Sequence, residues 1–122
     1  MTTTYGIVGC GMMGREHIRN IALMDDAAVG AILEPDPEMA AAALALAPGA
    51  VIVDSLDALL AHRPLDCLLI ASPNHCHAGQ LAEIAAKATL PALVDQPLFT
   101  DPADLPMLAS LRHDYRPPVW VA

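Results

Sequence analysis

Positive charge is scarce in this chain. Six lysines and arginines stand against fourteen aspartates and glutamates in 122 residues, a formal net charge of −8, and Lys87 is the only lysine. A nucleic-acid binder needs clustered cations to replace phosphate counterions, so that class is excluded. Aromatics are scarce too: Tyr5, Phe99, Tyr115 and Trp120 are the full set. The apolar content, 55% of the chain, is therefore aliphatic and rich in alanine, enough for a core of closely packed helices and strands and too much for a disordered segment. No apolar run reaches the ~20 residues that cross a bilayer, so no membrane partner is expected. The opening Met-Thr-Thr-Thr-Tyr has neither the basic nor the apolar region of a secretory leader. Cys10, Cys67 and Cys76 are odd in number and form no Cys-x-x-Cys pair, which points to a reduced, cytoplasmic setting. The length fits one domain, residues 1–122. There is no internal repeat, low-complexity tract or flexible linker.

What is present is a regular alternation of short apolar runs with longer helical ones. Strands are predicted at Tyr5–Val8, Ala28–Leu33, Val51–Val53, Cys67–Ala71, Ala92–Val94 and Val119–Val121. The continuous Cys-Leu-Leu-Ile-Ala run at 67–71 is of the kind a central parallel strand shows. Helices are predicted over Met12–Met24, with Met13, His17, Ile21 and Met24 at helical spacing, and over Pro37–Ala47, Ser55–Ala61, Asn74 to about Lys87, and Asp101 to about Arg112. Asn74 and Asp101 are read as N-caps, and Pro37 and Pro102 as first-turn residues. Strands alternating with helices imply right-handed crossovers and a parallel sheet, an α/β fold.

The segment Gly9-Cys10-Gly11-Met12-Met13-Gly14 directly follows a strand and opens a helix, the context that gives a Gly-x-Gly-x-x-Gly spacing its meaning. Gly9 permits a tight turn, Gly11 lets backbone approach a pyrophosphate, and Gly14 lets the helix pack close to the strand. The N–H groups at the helix start then hold the phosphates without any side-chain cation. The expected fold is thus the doubly wound Rossmann sheet of six strands in the order 3-2-1-4-5-6. Glu34 ends the second strand, twenty residues beyond Gly14, where a carboxylate can accept hydrogen bonds from the adenosine ribose. It would repel a 2′-phosphate, and Pro35-Asp36-Pro37-Glu38 brings no cation, so NAD is expected over NADP.

Three segments together resemble the Gfo/Idh/MocA family of sugar-type oxidoreductases. Val8-Gly9-Cys10-Gly11-Met12-Met13-Gly14-Arg15-Glu16-His17 is similar to that family's G-x-G-x-M-G-x-x-H opening. Ala71-Ser72-Pro73-Asn74-His75-Cys76-His77 resembles its T-P-N-x-x-H motif, and Val94-Asp95-Gln96-Pro97 its E-K-P motif. The resemblance spans essentially the whole chain. It implies hydride transfer between a nicotinamide and a sugar or cyclitol carbon. It also implies a second, substrate-binding domain that these 122 residues do not include, whether they are part of a longer protein or a short relative. By the same resemblance Met12 and Met13 join the three glycines against the cofactor. Ser72, Pro73 and Asn74 line the nicotinamide side, His77 supports their loop, Asp95 and Gln96 belong to the cofactor site, and Pro97 is cis. The plainer reading of Ser72-Pro73-Asn74 as a helix start is compatible with this, and Asp95-Gln96-Pro97 also reads as an ordinary turn after a strand.

One departure from the family pattern bears on chemistry. Gln96 stands where the family has its lysine, the candidate catalytic position. A glutamine donates and accepts hydrogen bonds but is no acid or base. Two readings follow: the cofactor-binding domain of an NAD-dependent oxidoreductase, inactive without its substrate domain, or a non-catalytic dinucleotide sensor. A third is a scaffold that self-associates, with Pro117-Pro118-Val119-Trp120-Val121 exposed. A polyol or sugar substrate and a second copy of the chain are the candidate partners. His75 and His77 lack a third ligand and point apart, so no metal is expected. No Gly-x-Ser-x-Gly elbow or Walker-type Gly-Lys-Ser offers other chemistry.

Overall fold

A computed structural model describes all residues, 1–122. Six parallel strands form one sheet: β1 (Thr3–Val8), β2 (Ala27–Leu33), β3 (Val51–Val53), β4 (Cys67–Ile70), β5 (Ala92–Val94) and β6 (Val119–Val121), in the order β3-β2-β1-β4-β5-β6. Five helices connect them: α1 (Met12–Ala22), α2 (Pro37–Leu46), α3 (Leu56–Ala61), α4 (His77–Lys87) and α5 (Leu105–Asp114), with 3₁₀ turns at Asn74–Cys76 and Pro102–Asp104. This is the doubly wound order expected from the glycine turn.

The strands carry apolar runs because both faces of the sheet are covered. Side chains alternate along each strand, and the two faces sort accordingly. Ile7, Ile32 and Leu69 pack on one side with Ile18 and Ile21 of α1 and Ala43 of α2. Val8, Ala31, Leu68 and Ile70 pack on the other, with Leu59 of α3 and Leu81 and Ile84 of α4. Each fully buried aliphatic side chain contributes about 1.5–3 kcal/mol relative to an exposed one. Alanine at 31 and 43 sets the close helix-to-sheet spacing, since a larger side chain would lift the helices away.

Several boundaries and one face depart from the sequence expectation. Helix α1 ends at Ala22 and buries Gly14, Ile18 and Ile21; of the Met13, His17, Ile21, Met24 series only Ile21 is buried. Met13 and Met24 are exposed. The two stripes share Ile21 and differ by the rotation that turns the Met13–His17 side of the helix away from the sheet. Asn74 is not a helix cap. Its side chain accepts no capping bond, a 3₁₀ turn runs through Asn74–Cys76, and α4 begins at His77. The proline before Asn74, at φ −54° and ψ 144°, holds the entry extended, and the turn closes through the Cys76 N–H donating to the Pro73 carbonyl at 2.8 Å. By contrast Asp36 and Ser55 cap α2 and α3, accepting from Glu38 and Met39 and from Ala58, while Asp101 accepts from Ala103 and caps the Pro102–Asp104 3₁₀ turn rather than α5, which begins at Leu105.

Strand β6 is the edge of the sheet, and Val119, Trp120 and Val121 are all exposed there. No helix of the structure is long and apolar enough to cross a membrane.

Candidate cofactor site

Strand order reverses between β1 and β4, so the loops after those strands diverge and leave a crevice at their carboxyl ends. A cleft of about 1050 Å³ opens there, running from Glu34 and Asp54 at the ends of β2 and β3 to Asp95 and Gln96 after β5. Its size lies at the upper end of the ~300–1,000 Å³ typical of small-molecule sites. No lysine or arginine lines it.

The three glycines have different reasons to be glycine. Gly9 has φ +86°, and a Cβ built there would sit 2.5 Å from the Ser72 backbone. At Gly14 a Cβ would run into the carbonyl oxygen of Gly9. Both are demanded by the fold itself, through crossing of the β1 and β4 loops and close seating of α1. At Gly11 a Cβ would meet no protein atom within 4 Å. Gly11 opens α1 with no side-chain cap and no acidic residue in the first turn. The first intrahelical bond of the turn is Arg15 N–H to Gly11 O at 3.0 Å. The amides ahead of it are therefore presented to the cleft at the positive end of the helix dipole, a cradle that fits an anionic pyrophosphate. Met12 and Met13 lie on this turn, lining the cleft with exposed side chains.

Glu34 lines the cleft at the end of β2, and its carboxylate is bonded to its own chain. Oε1 accepts from the Cys10 N–H at 2.9 Å and Oε2 from the Asp36 N–H at 3.0 Å. Each oxygen keeps a second lone pair free to accept another hydrogen bond. Glu34 is thus also a strut that ties the β2 end to the glycine turn, a role the sequence did not disclose. Burial, then the adjacent Glu34 carboxylate, pushes the Cys10 thiol up to about 12. Cys10 is accordingly protonated and unreactive at neutral pH.

At the other end, Ser72 is half-buried and donates through Oγ to Oε1 of Gln80, while Pro73 and Asn74 are exposed on the cleft rim. His77 is 1% exposed, with Nε2 2.7 Å from the Ser72 carbonyl and Nδ1 2.8 Å from the Pro97 carbonyl. Its ring spans the β4 and β5 loops, and both nitrogens face backbone acceptors. The Gln96–Pro97 peptide is cis. Gln96 projects from this loop as an exposed side chain, its N–H donating to Ala122 O at 2.6 Å. Asp95 is buried, and its Oδ1 lies 2.7 Å from Nε2 of His17 on α1. Every candidate site residue named from the sequence except Gly14 borders this cleft, and Gly14 lies buried in the first turn of α1 beside it. The His17–Asp95 contact was missed. Its only sequence signal is the histidine three residues past Gly14, and its partner lies 78 positions away.

The chain matches the Gfo/Idh/MocA family model, described as an oxidoreductase family with an NAD-binding Rossmann fold, over residues 3–122. An inositol 2-dehydrogenase of Leifsonia xyli is 42% identical over 109 residues, 85% of this chain and 32% of that protein. An inositol 2-dehydrogenase of Corynebacterium glutamicum is 40% identical over 97 residues, 79% of this chain and 28% of that protein. The chain therefore spans about a third of the length of the curated relatives it matches. Among solved structures, the WlbA dehydrogenase of Bordetella pertussis, in complex with NADH and UDP-GlcNAcA, superposes with a TM-score of 0.86 at 28% identity, over all of this chain and 37% of its own. The scyllo-inositol dehydrogenase of Lactobacillus casei, with bound NAD(H) and scyllo-inositol, gives a TM-score of 0.85 at 23% identity, over all of this chain and 36% of its own, and shows the shared fold. With the doubly wound sheet, the glycine cradle and the cleft between them, these matches establish that the chain belongs to the Gfo/Idh/MocA oxidoreductase family and forms its NAD-binding Rossmann domain.

Proposed function

We propose that this chain is the cofactor half of a cytoplasmic dehydrogenase that oxidises a ring hydroxyl of an inositol-type cyclitol, working with a substrate-binding domain of the kind found in the family. The observation that carries the reading is the open space over Gly11 at an uncapped helix start, facing the 95–97 loop across one cleft. Gly9, Gly11, Gly14 and the first-turn amides at Met12 and Met13 would bind the pyrophosphate. Glu34 would take the adenosine ribose. With no cation in the cleft, a 2′-phosphate would meet only carboxylates, which supports NAD over NADP. Ser72, Pro73, Asn74 and Asp95 would flank the nicotinamide, with His77 holding their loops together.

When bound, the nicotinamide supplies the hydride acceptor. The chain's own Gln96 would hydrogen-bond a hydroxyl but could not take its proton, so the alcohol proton would go to another group. The inositol assignment rests on the named activity of the relatives at 40–42% identity. The cytoplasmic assignment rests on three free cysteines, two of them with thiols held well above the usual range by burial. Calorimetric titration with NAD and with NADP tests the first part: NAD binds and NADP binds at least tenfold more weakly. Formation of reduced nicotinamide on a cyclitol and sugar panel, by Gln96 and Gln96→Lys proteins carrying a substrate domain, tests the second. Turnover of cyclitols that rises with lysine is expected. No turnover by either form on any cyclitol refutes the assignment.

A further inference from the structure

His17 is unused by the cofactor site as described, yet it is the one side chain that joins the phosphate-binding helix to the loop carrying residue 96. Its Nε2 lies 2.7 Å from Asp95 Oδ1, and the two side chains are 19% and 12% exposed. The second carboxylate oxygen, Oδ2, is buried with no partner of its own. His17 is therefore the only side chain that meets this desolvated carboxylate, and a buried acceptor left without a donor is costly. The same loop is gripped two residues later, where the Pro97 carbonyl meets His77 Nδ1 at 2.8 Å. Between the two grips Gln96 stands free in the cleft. Backbone bonds complete the frame: Asp95 N–H to Ile70 O at 2.9 Å and Gln96 N–H to Ala122 O at 2.6 Å.

The topology divides the cleft. Glu34 and Asp54, at the ends of β2 and β3, border the half on one side of the glycine turn, and the 95–97 loop borders the half on the other. A dinucleotide whose pyrophosphate crosses the α1 N-terminus places its two nucleosides in these halves. We infer that His17 is a positioning residue for the nicotinamide half: through Asp95 it fixes the 95–97 loop, and with it residue 96, at the height set by the phosphate-binding helix. This rests on the NAD site proposed above. It explains why a polar histidine follows Gly14 on the flank of α1 rather than another aliphatic residue. One helix would thereby set both the phosphate register and the nicotinamide platform.

The test compares NAD with ADP-ribose, which shares the adenosine and pyrophosphate and lacks the nicotinamide. The Kd of each is measured by calorimetry for the wild-type chain, His17→Leu, His17→Gln and Asp95→Asn, with Tm recorded for all. The expected result is that His17→Leu lowers NAD affinity relative to ADP-ribose about tenfold. That is the size of one positioned hydrogen bond. His17→Gln, which keeps an N–H donor for Asp95, should recover most of that ratio. Asp95→Asn together with His17→Leu should cost no more than the worse of the two alone. A role confined to stability would lower Tm and weaken both ligands together, leaving the ratio at its wild-type value, and that outcome overturns the inference. So does a ratio lost in His17→Gln as fully as in His17→Leu. A wild-type chain that binds neither ligand overturns the NAD site itself, and is distinguishable from both.

Discussion

Adding one methyl group at each of two glycines should separate folding from binding. In Gly9→Ala the new Cβ lies 2.5 Å from the Ser72 backbone, and the residue keeps φ +86°. The left-handed backbone costs an alanine about 1–2 kcal/mol, and relieving overlap with a backbone that cannot swing aside costs about 1–3 kcal/mol more. The expected loss is about 2–5 kcal/mol, a fall in Tm of roughly 8–20 °C for a domain of this size. In Gly11→Ala the Cβ meets no protein atom, and the backbone, φ −65° and ψ −153°, is extended. The weaker N-cap preference of alanine and the reduced entropy of its unfolded chain oppose each other, leaving stability within about 0.5 kcal/mol. The same methyl, however, occupies the space through which a pyrophosphate must pass to reach the α1 amides. NAD affinity should fall at least thirtyfold, about 2 kcal/mol. Differential scanning fluorimetry supplies Tm and calorimetry supplies Kd. A Gly11→Ala protein that folds normally and binds NAD as the wild type does would refute the path over Gly11. One that loses as much stability as Gly9→Ala would refute the open geometry itself.

Two further outcomes follow from the same site. Glu34→Ala removes the acceptor of both the Cys10 and Asp36 N–H groups. A cost of about 1–3 kcal/mol in chemical denaturation is expected, with weaker NAD binding and a smaller penalty for NADP; unchanged stability would show that water replaces the carboxylate. Alkaline titration should reveal the buried thiols. Cys10 is pushed up to about 12 and Cys67 to about 11, chiefly by burial, so above the ordinary value near 9 the unfolded chain loses protons that the folded chain retains. Stability is then fully present below about pH 9 and falls progressively toward pH 11–12. Cys67→Ala should flatten part of that slope in denaturation midpoints measured across this range, and an identical slope would show the thiols are not its source.

The family, the alternating strands and helices, and the glycine turn were legible in the sequence because each is written in short-range spacing. Apolar runs of strand length show that both faces of the sheet are buried, and a Gly-x-Gly-x-x-Gly between strand and helix has one structural context. The start of α2 was legible because Pro37 acts on its own neighbours, whereas Asp101 and Pro102 open a 3₁₀ turn and α5 begins only at Leu105. Asn74 was misread because its cap reading took a helix start for granted where the chain, held extended by Pro73, makes a 3₁₀ turn first.

What only the tertiary structure decided is which residues meet. Helical spacing showed that α1 is amphipathic but could not tell the Gly14-Ile18-Ile21 stripe from the neighbouring Met13-His17 side, because both satisfy the 3.6 period and only docking on β1 and β2 chooses. Spacing alone separated the three glycines by role, and the tertiary structure supplied the atoms behind it: the Ser72 backbone, some sixty residues later, over Gly9, the Gly9 carbonyl against Gly14, and open space at Gly11. The His17–Asp95 pair, 78 positions apart, exists because the strand order sets β1 and β5 on either side of β4 and so brings their loops to one edge. Local spacing carried the elements and the phosphate cradle. Long-range packing carried the site, because hydrogen bonds across a cleft depend on distances in space that no sequence interval encodes.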